Sequence, residues 1–399
     1  MTAQVARRLG VEEELLLVDD DGAPVAAAPA LLARCASSSS DGRGGKAGDG
    51  PQLTAEYYQS QVEIVTSPAR EIASLARQLE RGRSVVGEAS RTLGCAPVAV
   101  PGSVVRADAG PTTPGERFDL IGTHYAHVAA SSLICSLQVH VEIESRHEGV
   151  AVLDRVRPWL PTLLALSANS PFWQGTDTGF ASWRSQVWRL WPSAGPLEVL
   201  GDVAGYDALV ARMVSSGSAL DVALLNLDVR LSARHPTVEF RIADVCTDLR
   251  DAMVVAALAR ALTETAAREA SAGVGPTDWR VDQLRVAAWR AARFGLAGEL
   301  SHPVTGETAP AGDALDALLA HAGEALADAG DLAAVQDGLR RLLHEGGGAP
   351  RQRRVHAESG DLAAVVDDLR RRTLPDTGVT AQHPAAFDAQ AGLTRRSGA

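Results

Sequence analysis

The sequence of 399 residues has few cysteines, no long apolar run and no excess of basic charge. Its four cysteines are scattered without the spacing of a metal site, so each is predicted to be a small buried apolar residue. No apolar run reaches the length of a membrane span, and the first eight residues contain no apolar signal core. We therefore expect a cytoplasmic protein.

The balance of charge argues against nucleic acid and anionic membranes as the main partners. Lysine and arginine together number 38 and aspartate and glutamate 49, which gives a net charge of −11. An anionic chain without a basic patch is not attracted to nucleic acid or to an anionic membrane surface. The length allows one large domain or two, and a hydrophobic content of 46% allows a substantial core.

Three consecutive glutamates stand inside the apolar segment 10–18. Side chains of a strand alternate between its two faces, so Glu12 and Glu14 share one face, whereas Glu13 lies with the apolar side chains on the other. The Asp-Asp-Asp-Gly turn signal that follows favours a strand over a helix. Two carboxylates on one face repel each other unless a cation lies between them, and Mg²⁺ prefers oxygen ligands.

Four later segments, at 61–65, 137–143, 225–231 and 238–242, repeat this alternation. The polar side chains that share a face within each segment are Gln61, Glu63, Gln138, His140, Glu142, Asn226, Asp228, Arg230, Glu239 and Arg241. An antiparallel sheet with one face on helices and the other open produces such a pattern. A solvated sheet face is the simpler alternative, but it is usually rich in Thr, Ser and Lys. The recurrence of Glu beside His and Arg favours a metal and phosphate site.

The rest of the chain is predicted to be mostly helical. Helices are expected at 67–93, 116–130, 150–169 with two interrupting prolines, 201–216 and 249–372, the last with a long loop at 300–312. Residues 37–50 are rich in Ser and Gly and predict a mobile loop. Its Gly-Gly-Lys lacks the spacing and the following Ser or Thr of a phosphate-binding loop. Residues 373–399 predict a flexible tail, which leaves a single domain over residues 1–372.

An aromatic, polar loop is predicted at residues 172–184. Four of the seven tryptophans fall between Trp173 and Trp191. A loop of this length either carries function or fills the end of the core with its aromatic side chains. Both interpretations stay open for the tryptophans, whereas Arg184 is predicted to be a functional residue.

These segments together resemble a known family, the glutamate–cysteine ligase type 2 or carboxylate–amine ligase proteins. The matching pieces occur in order at 10–14, 59–63, 133–135, 139–141, 166–173, 177–179, 184, 191–192, 228–230, 235–244 and 291–296. The resemblance implies a single α+β domain, with a curved antiparallel sheet, helices packed on one face and an open polar active-site face. That architecture is related to the catalytic domain of glutamine synthetase.

The resemblance also implies an activity and a set of site residues. The activity is ATP- and Mg²⁺-dependent joining of a carboxylate to an amine, including weak glutamate–cysteine ligase activity. Two or more Mg²⁺ ions are expected, with Mn²⁺ as an alternative, and the expected partners are ATP, amino acids and a second copy in a homodimer. The implied metal ligands are Glu12, Glu14, Glu63, Gln138, His140 and Glu239. Arg184 and Arg241 are the implied catalytic residues, and Arg184, Arg230, Arg241, Asn169 and Gln61 the implied ATP- or substrate-binding residues.

The chemistry of the residues agrees with this activity. A carboxylate becomes reactive toward an amine when the γ-phosphoryl group of ATP converts it into an acyl phosphate. Phosphoryl transfer requires positioning and charge neutralisation, which carboxylate-held divalent ions and bidentate arginines provide.

The chain also departs from the family pattern. Gln138 replaces a histidine, Glu142 replaces a glycine, and Asn226-Leu227 replaces a Trp-Trp pair. Three hypotheses follow: a ligase acting on glutamate or a similar amino acid, a ligase of specialised metabolism that uses another amine, and a non-catalytic binding protein of the same fold. The retained glutamates and Arg241 argue against the third, while Gln138 and Glu142 argue mildly for it.

Overall fold

A computed structural model describes residues 5–39 and 51–374. Its strands are β1 (Leu9–Val18), β2 (Gln52–Ala55), β3 (Gln61–Val65), β4 (Ala96–Val98), β5 (Leu137–Glu142), β6 (Phe172–Trp173), β7 (Thr176–Asp177), β8 (Val229–Leu231), β9 (Thr237–Phe240), β10 (Glu299–Ser301) and β11 (Thr308–Pro310). Its α-helices are α1 (Ala28–Ser39), α2 (Ile72–Arg91), α3 (Glu116–Tyr125), α4 (His127–Ala130), α5 (Arg146–Val156), α6 (Leu160–Ser167), α7 (Arg184–Trp188), α8 (Val203–Ser215), α9 (Leu249–Ser271), α10 (Val281–Phe294), α11 (Ala311–Ala329), α12 (Leu332–Glu345), α13 (Gly348–Ser359) and α14 (Leu362–Thr373). Short 3₁₀ turns lie at Arg157–Trp159, Val222–Leu224 and Gly295–Ala297.

Seven strands form one open antiparallel sheet. Its order is β2-β3-β1-β5-β9-β8, and β4 pairs with the second half of β1. The apolar side chains of β1, β3 and β5 point to one face, where α2 and α9 pack against them. The other face carries the polar side chains and is not covered by these two helices. The predicted α+β fold, with helices on one sheet face and an open polar face, is confirmed.

The five predicted strands all belong to this sheet, although some boundaries differ. The segment predicted as a strand from residue 225 joins the sheet only from Val229, and before it Leu227 forms an isolated parallel bridge with Gly195 instead. The predicted loop at 300–312 is instead the β10–β11 hairpin followed by the start of α11. The predicted helix at 116–130 breaks at Ala126, whose φ of 48° lies outside the helical region.

Two predicted mobile segments fall largely outside the described residues. Helix α1 continues to Ser39, so the first part of the predicted loop 37–50 is helical and residues 40–50 are not described. Thr373 ends α14 and is buried, and its hydroxyl accepts a hydrogen bond from the Ala99 backbone at 2.9 Å. The rest of the predicted tail, residues 375–399, is likewise not described. Among the described helices, none combines the length and apolarity that crossing a membrane requires.

A buried ion pair ties the first strand to the helical layer. Glu13 lies on the core face of β1, as its alternation predicts, and is fully buried. Arg83 of α2, also fully buried, donates two hydrogen bonds to its carboxylate at 2.9 and 2.7 Å. The same guanidinium donates to the backbone carbonyls of Cys246 and Thr247 at 2.8 and 2.7 Å. Arg83 therefore neutralises Glu13 and satisfies buried carbonyls at the same time.

Replacing Arg83 with methionine is expected to lower the free energy of unfolding by about 3–5 kcal/mol, because Glu13 would be left as an uncompensated buried charge. Urea denaturation followed by circular dichroism measures this. Arg81→Met, an exposed position on the same helix, serves as the control and should change stability by less than about 0.5 kcal/mol. Equal stability of the Arg83 and Arg81 variants would show that the ion pair does not support the fold.

Candidate active site

The polar face of the sheet forms the floor of a cavity of about 610 Å³. Strand register brings the polar residues into rows across the floor, since each pair lies directly opposite on neighbouring strands. The opposed pairs are Glu14 with Glu63, Glu12 with Gln138, His140 with Glu239 and Arg230 with Glu239. All of these residues line the cavity, together with Gln61, Arg184 and Arg241. The sheet register thus brings these side chains to one cavity.

A cluster of three carboxylates occupies one end of the floor. Glu14, Glu56 and Glu63 each place a carboxylate oxygen within 4.8 Å of the others. Burial and the neighbouring carboxylates raise the pKa of Glu56 to about 8 and that of Glu63 well above its ordinary value. Burial also raises the pKa of Glu14, although Arg184 opposes the shift. Because a divalent cation relieves this repulsion and prefers carboxylate oxygen, the donor set fits Mg²⁺.

Glu56 is absent from the set predicted from the sequence. It follows β2, a four-residue strand that, among the described residues, pairs with β3 alone. The segment before it, Gln-Leu-Thr-Ala, is too short and too polar to display the alternation that identified the other strands. The sequence offered one indication, because Glu56 lies just before the strand at 61–65. That position predicts that the two segments pair, but it does not predict where the Glu56 side chain points.

A second polar group lies next to the carboxylate cluster. The imidazole Nε2 of His140 is 3.3 Å from Glu12, and its Nδ1 is 3.1 Å from the hydroxyl of Thr237. Burial favours a higher pKa for Glu12, but the hydrogen bond and charge of His140 hold that pKa below its ordinary value. Glu12 is therefore the more readily ionised carboxylate on β1's polar face.

Two arginines flank Glu239 at the other end of the floor. Arg230 donates to both carboxylate oxygens, at 2.8 and 3.0 Å, and Arg241 donates to one of them. Burial alone would raise the pKa of Glu239, but these two arginines lower it to about 2. Glu239 is thus held as an ion between two cations, and its implied role as a metal ligand stays a prediction.

Arg184 approaches the floor from α7. It is buried and donates to the backbone carbonyls of Ile242 and Arg241 at 3.2 and 3.1 Å. The guanidinium carbons of Arg184 and Arg241 each lie 5.4 Å from the ring centre of Trp188, within the range of a cation–π contact. Trp188 thus packs both cations against one cavity wall.

Gln138 links the carboxylate end to the arginine end. Its amide nitrogen donates to Glu14 at 3.1 Å, and its amide oxygen accepts a hydrogen bond from Arg241. The implied ligand role of Gln138 stays a prediction. Gln61 also lines the cavity, and its amide nitrogen donates to the carbonyl of Ile134 at 2.7 Å.

The structure does not bring Asn169 to this cavity. Its amide nitrogen donates to the Val245 carbonyl and to Thr247, and its oxygen accepts from Gln352. These hydrogen bonds join the end of α6 to distant parts of the chain, and the implied contact of Asn169 with ATP or substrate stays a prediction. Glu142 also lies away from the carboxylate cluster, where its side chain accepts from the Arg8 backbone at 3.1 Å.

The two interpretations of the tryptophans apply to different residues. Trp188 and Trp191 line the cavity, which places them at the candidate site. Trp183 packs against Phe180 with ring centres 5.2 Å apart, and Trp173 lies against Gly102. Trp183 and Trp173 therefore fill space between loops.

The carboxylate cluster is expected to make stability without metal fall as pH rises. When folding raises the pKa of a carboxyl group, the folded state holds more protons than the unfolded chain, so stability decreases between the two pKa values. For Glu56 this window runs from the ordinary 4.5 to about 8. In EDTA, the free energy of unfolding should therefore be lower at pH 8 than at pH 5, and Mg²⁺ should restore more of it at pH 8.

Urea denaturation at both pH values, with and without MgCl₂, measures this dependence. The matched variant is Glu56→Gln, which removes the titrating group and should flatten the pH dependence of the metal-free protein. Identical pH dependence in the two proteins would contradict the raised pKa of Glu56.

Comparison with known proteins identifies the family. The sequence profile of glutamate-cysteine ligase family 2 matches residues 8–368. The chain belongs to this family. A Streptomyces coelicolor member named "Putative glutamate--cysteine ligase 2" is 48% identical over 306 residues, which are 76% of this chain and 83% of that protein. A Paenarthrobacter aurescens member, "Putative glutamate--cysteine ligase 2-1", is 41% identical over 350 residues, 88% of this chain and 90% of that protein. The family implied by the sequence motifs is confirmed.

Solved structures show the same fold at low identity. A bifunctional glutathione synthetase from Pasteurella multocida matches with a TM-score of 0.66 and 16% identity over 92% of this chain, which spans about half (52%) of that protein. A glutamate–cysteine ligase from Francisella tularensis in complex with AMP matches with a TM-score of 0.63 and 14% identity, over 93% of this chain and 88% of that one.

Proposed function

We propose that this member of the family is an ATP- and Mg²⁺-dependent carboxylate–amine ligase that activates an amino acid carboxylate as an acyl phosphate. The observation that carries the proposal is the arrangement of one cavity. A cluster of three carboxylates lies at one end of its floor and three arginines lie at the other, joined through Gln138. A site for Mg²⁺ beside a site for phosphate and carboxylate oxygens is what transfer of a phosphoryl group to a carboxylate requires.

In this proposal Glu14, Glu56 and Glu63 hold one metal ion. Glu12, His140 and Glu239, with Gln138 beside them, are the donors for a second. Bound Mg²⁺ would neutralise the charge on the ATP phosphates. The AMP complex of the Francisella protein supports nucleotide binding by this fold.

The arginines bind the phosphate and carboxylate oxygens in this proposal. Arg241 and Arg184 contact the transferred phosphoryl group or the substrate carboxylate, since both line the cavity and both guanidinium groups lie 5.4 Å from the Trp188 ring centre. Arg230 holds Glu239 through two hydrogen bonds and so keeps Arg241 in place. Gln61 lines the same cavity and orients the adjoining backbone.

The reaction proceeds in two steps. A carboxylate oxygen attacks the γ-phosphorus of ATP, the bond to ADP breaks, and an acyl phosphate forms. The amine nitrogen then attacks the acyl carbon, inorganic phosphate leaves, and the nitrogen loses a proton to give the amide. Each turnover releases one ADP and one phosphate. Glutamate as carboxylate, weak glutamate–cysteine ligase activity and assembly as a cytoplasmic homodimer remain predictions.

Hydroxylamine tests the formation of the acyl phosphate without requiring that the amine substrate be known. It is a small nucleophile that converts an acyl phosphate into a hydroxamate, which ferric chloride detects. With ATP, Mg²⁺, hydroxylamine and glutamate or another amino acid, the purified chain should form hydroxamate and ADP in equal amounts. ADP release without hydroxamate for every carboxylate tested, or no ADP release at all, would contradict the proposal and favour a binding protein of the same fold.

A further inference from the structure

One wall of the cavity is apolar, in contrast to its charged floor. The aromatic wall, as we define it, consists of Tyr57, Phe118, Ile121, Trp188, Trp191 and Leu224. With Tyr125 and Ala129, these side chains form a second apolar cluster, and Tyr57 also packs against the main core. Several members are only partly buried by the protein, so they present apolar surface to the cavity.

The aromatic wall adjoins the groups proposed to activate the carboxylate. At one end Tyr57 directly follows Glu56 of the carboxylate cluster. At the other end Trp188 lies under the guanidinium groups of Arg184 and Arg241, 5.4 Å from each. A molecule bound on the aromatic wall therefore lies beside the site of the acyl phosphate.

The aromatic wall supplies little charge of its own. Arg117 is the one charged residue that lines the cavity among the described residues of α3 and of the Val222–Leu224 turn. Its guanidinium forms an ion pair with the Asp221 side chain. A charged substrate side chain placed here would lose its hydration without gaining a free partner, which is unfavourable.

A buried uncharged polar residue, Asn226, stands at the edge of the aromatic wall. Asn226 lines the cavity and is only 4% exposed. Its backbone nitrogen donates to the Ser193 hydroxyl at 3.1 Å, and that hydroxyl donates to the Leu224 carbonyl at 3.1 Å. Within the described ranges its side-chain amide has no hydrogen-bonding partner. A buried amide normally has one, so Asn226 offers two donors and one acceptor to a ligand.

We propose that the aromatic wall and Asn226 bind the amine substrate, and that this substrate is an amino acid with a branched aliphatic or aromatic side chain rather than cysteine. The inference rests on the proposed ligase function. A side chain of that size covers the aromatic wall, whereas the side chain of cysteine leaves most of it uncovered. Asn226 binds a polar group of the same molecule. The carboxylate donor takes the charged floor, where the arginines and glutamates lie.

Equilibrium binding tests this choice without requiring turnover. Calorimetry on the full chain, in buffer with Mg²⁺ and ADP, compares phenylalanine, leucine and cysteine. Phenylalanine or leucine should bind at least about tenfold more tightly than cysteine, since one methylene in an apolar site already changes discrimination by about 10- to 200-fold. Equal or tighter binding of cysteine would overturn the inference.

Two variants locate the binding site. Leu224→Trp fills space at the aromatic wall and should weaken phenylalanine binding at least about tenfold. Its matched control is Val222→Trp on the same turn, where the side chain is exposed and binding should match wild type. Asn226→Leu, of nearly equal size, should also weaken phenylalanine binding. Unchanged affinity in both Leu224→Trp and Asn226→Leu would overturn the assignment.

The hydroxylamine assay keeps this inference distinct from the proposed function. Hydroxylamine carries no side chain and does not need the aromatic wall. A protein that forms hydroxamate but prefers cysteine as amine supports the ligase proposal and overturns this one. A protein that binds phenylalanine on the aromatic wall but forms no hydroxamate contradicts the ligase proposal and supports this binding site.

Discussion

Glu56→Gln is expected to lower Mg²⁺-dependent ADP release by about a thousandfold and to leave the fold intact. The carboxylate of Glu56 lies with those of Glu14 and Glu63 within 4.8 Å, and an amide keeps the size of the side chain but removes its charge. Loss of one charged ligand costs several kcal/mol of transition-state stabilisation, and about 1.4 kcal/mol corresponds to a factor of ten in rate. Glu14→Gln and Glu63→Gln should show losses of the same order.

Glu142→Gln is the matched control for this prediction. Glu142 belongs to the same sheet and replaces a glycine of the family pattern. Its side chain accepts a hydrogen bond from the Arg8 backbone and lies 4.0 Å from Arg70, away from the carboxylate cluster. ADP release by Glu142→Gln should stay within about threefold of wild type. Steady-state rates over a range of Mg²⁺ concentrations measure both variants, and a Glu142 variant more impaired than Glu56→Gln would reverse the assignment.

The five strands of the site were predictable because their signal is local. Alternation with a period of two places Glu12 and Glu14 on the same face whatever the rest of the fold. Register then follows from pairing, so that residues such as His140 and Glu239, predicted on separate strands, meet at one cavity floor. The buried position of Glu13 follows from the same alternation.

Other contacts could not be predicted from the sequence, because they join segments that are far apart in the chain and share no local pattern. Asn169 hydrogen-bonds to Gln352, 183 residues away, a tertiary contact that the local pattern of neither segment predicts. Arg83 meets Glu13 across 70 residues, so the neutralisation of that buried carboxylate was not predictable from either segment. Glu56 belongs to the site through an edge strand too short to show a pattern.

Arg241→Lys is expected to lower kcat for ADP release by about 10²- to 10³-fold, the range seen when one preorganised donor to a developing charge is removed. Arg241 contacts Glu239 and Gln138 and lies over Trp188. Lysine keeps the positive charge but lacks the planar fork that binds phosphate or carboxylate oxygens bidentately. Because Arg230 still pairs with Glu239 in this variant, no buried carboxylate is left alone and the protein should remain folded.

Arg189→Lys provides the comparison for this variant. Arg189 lies 3.9 Å from Asp228, whose backbone carbonyl accepts a hydrogen bond from the Arg241 backbone, but Arg189 is not among the described residues that line the cavity. Its replacement should change kcat less than about threefold. If Arg241 contacts the reacting groups, kcat falls while the Mg²⁺ dependence of the remaining activity stays close to wild type, because the carboxylate cluster is intact. If Arg241 only supports the sheet, the midpoint of urea unfolding falls instead and kcat per folded molecule is unchanged.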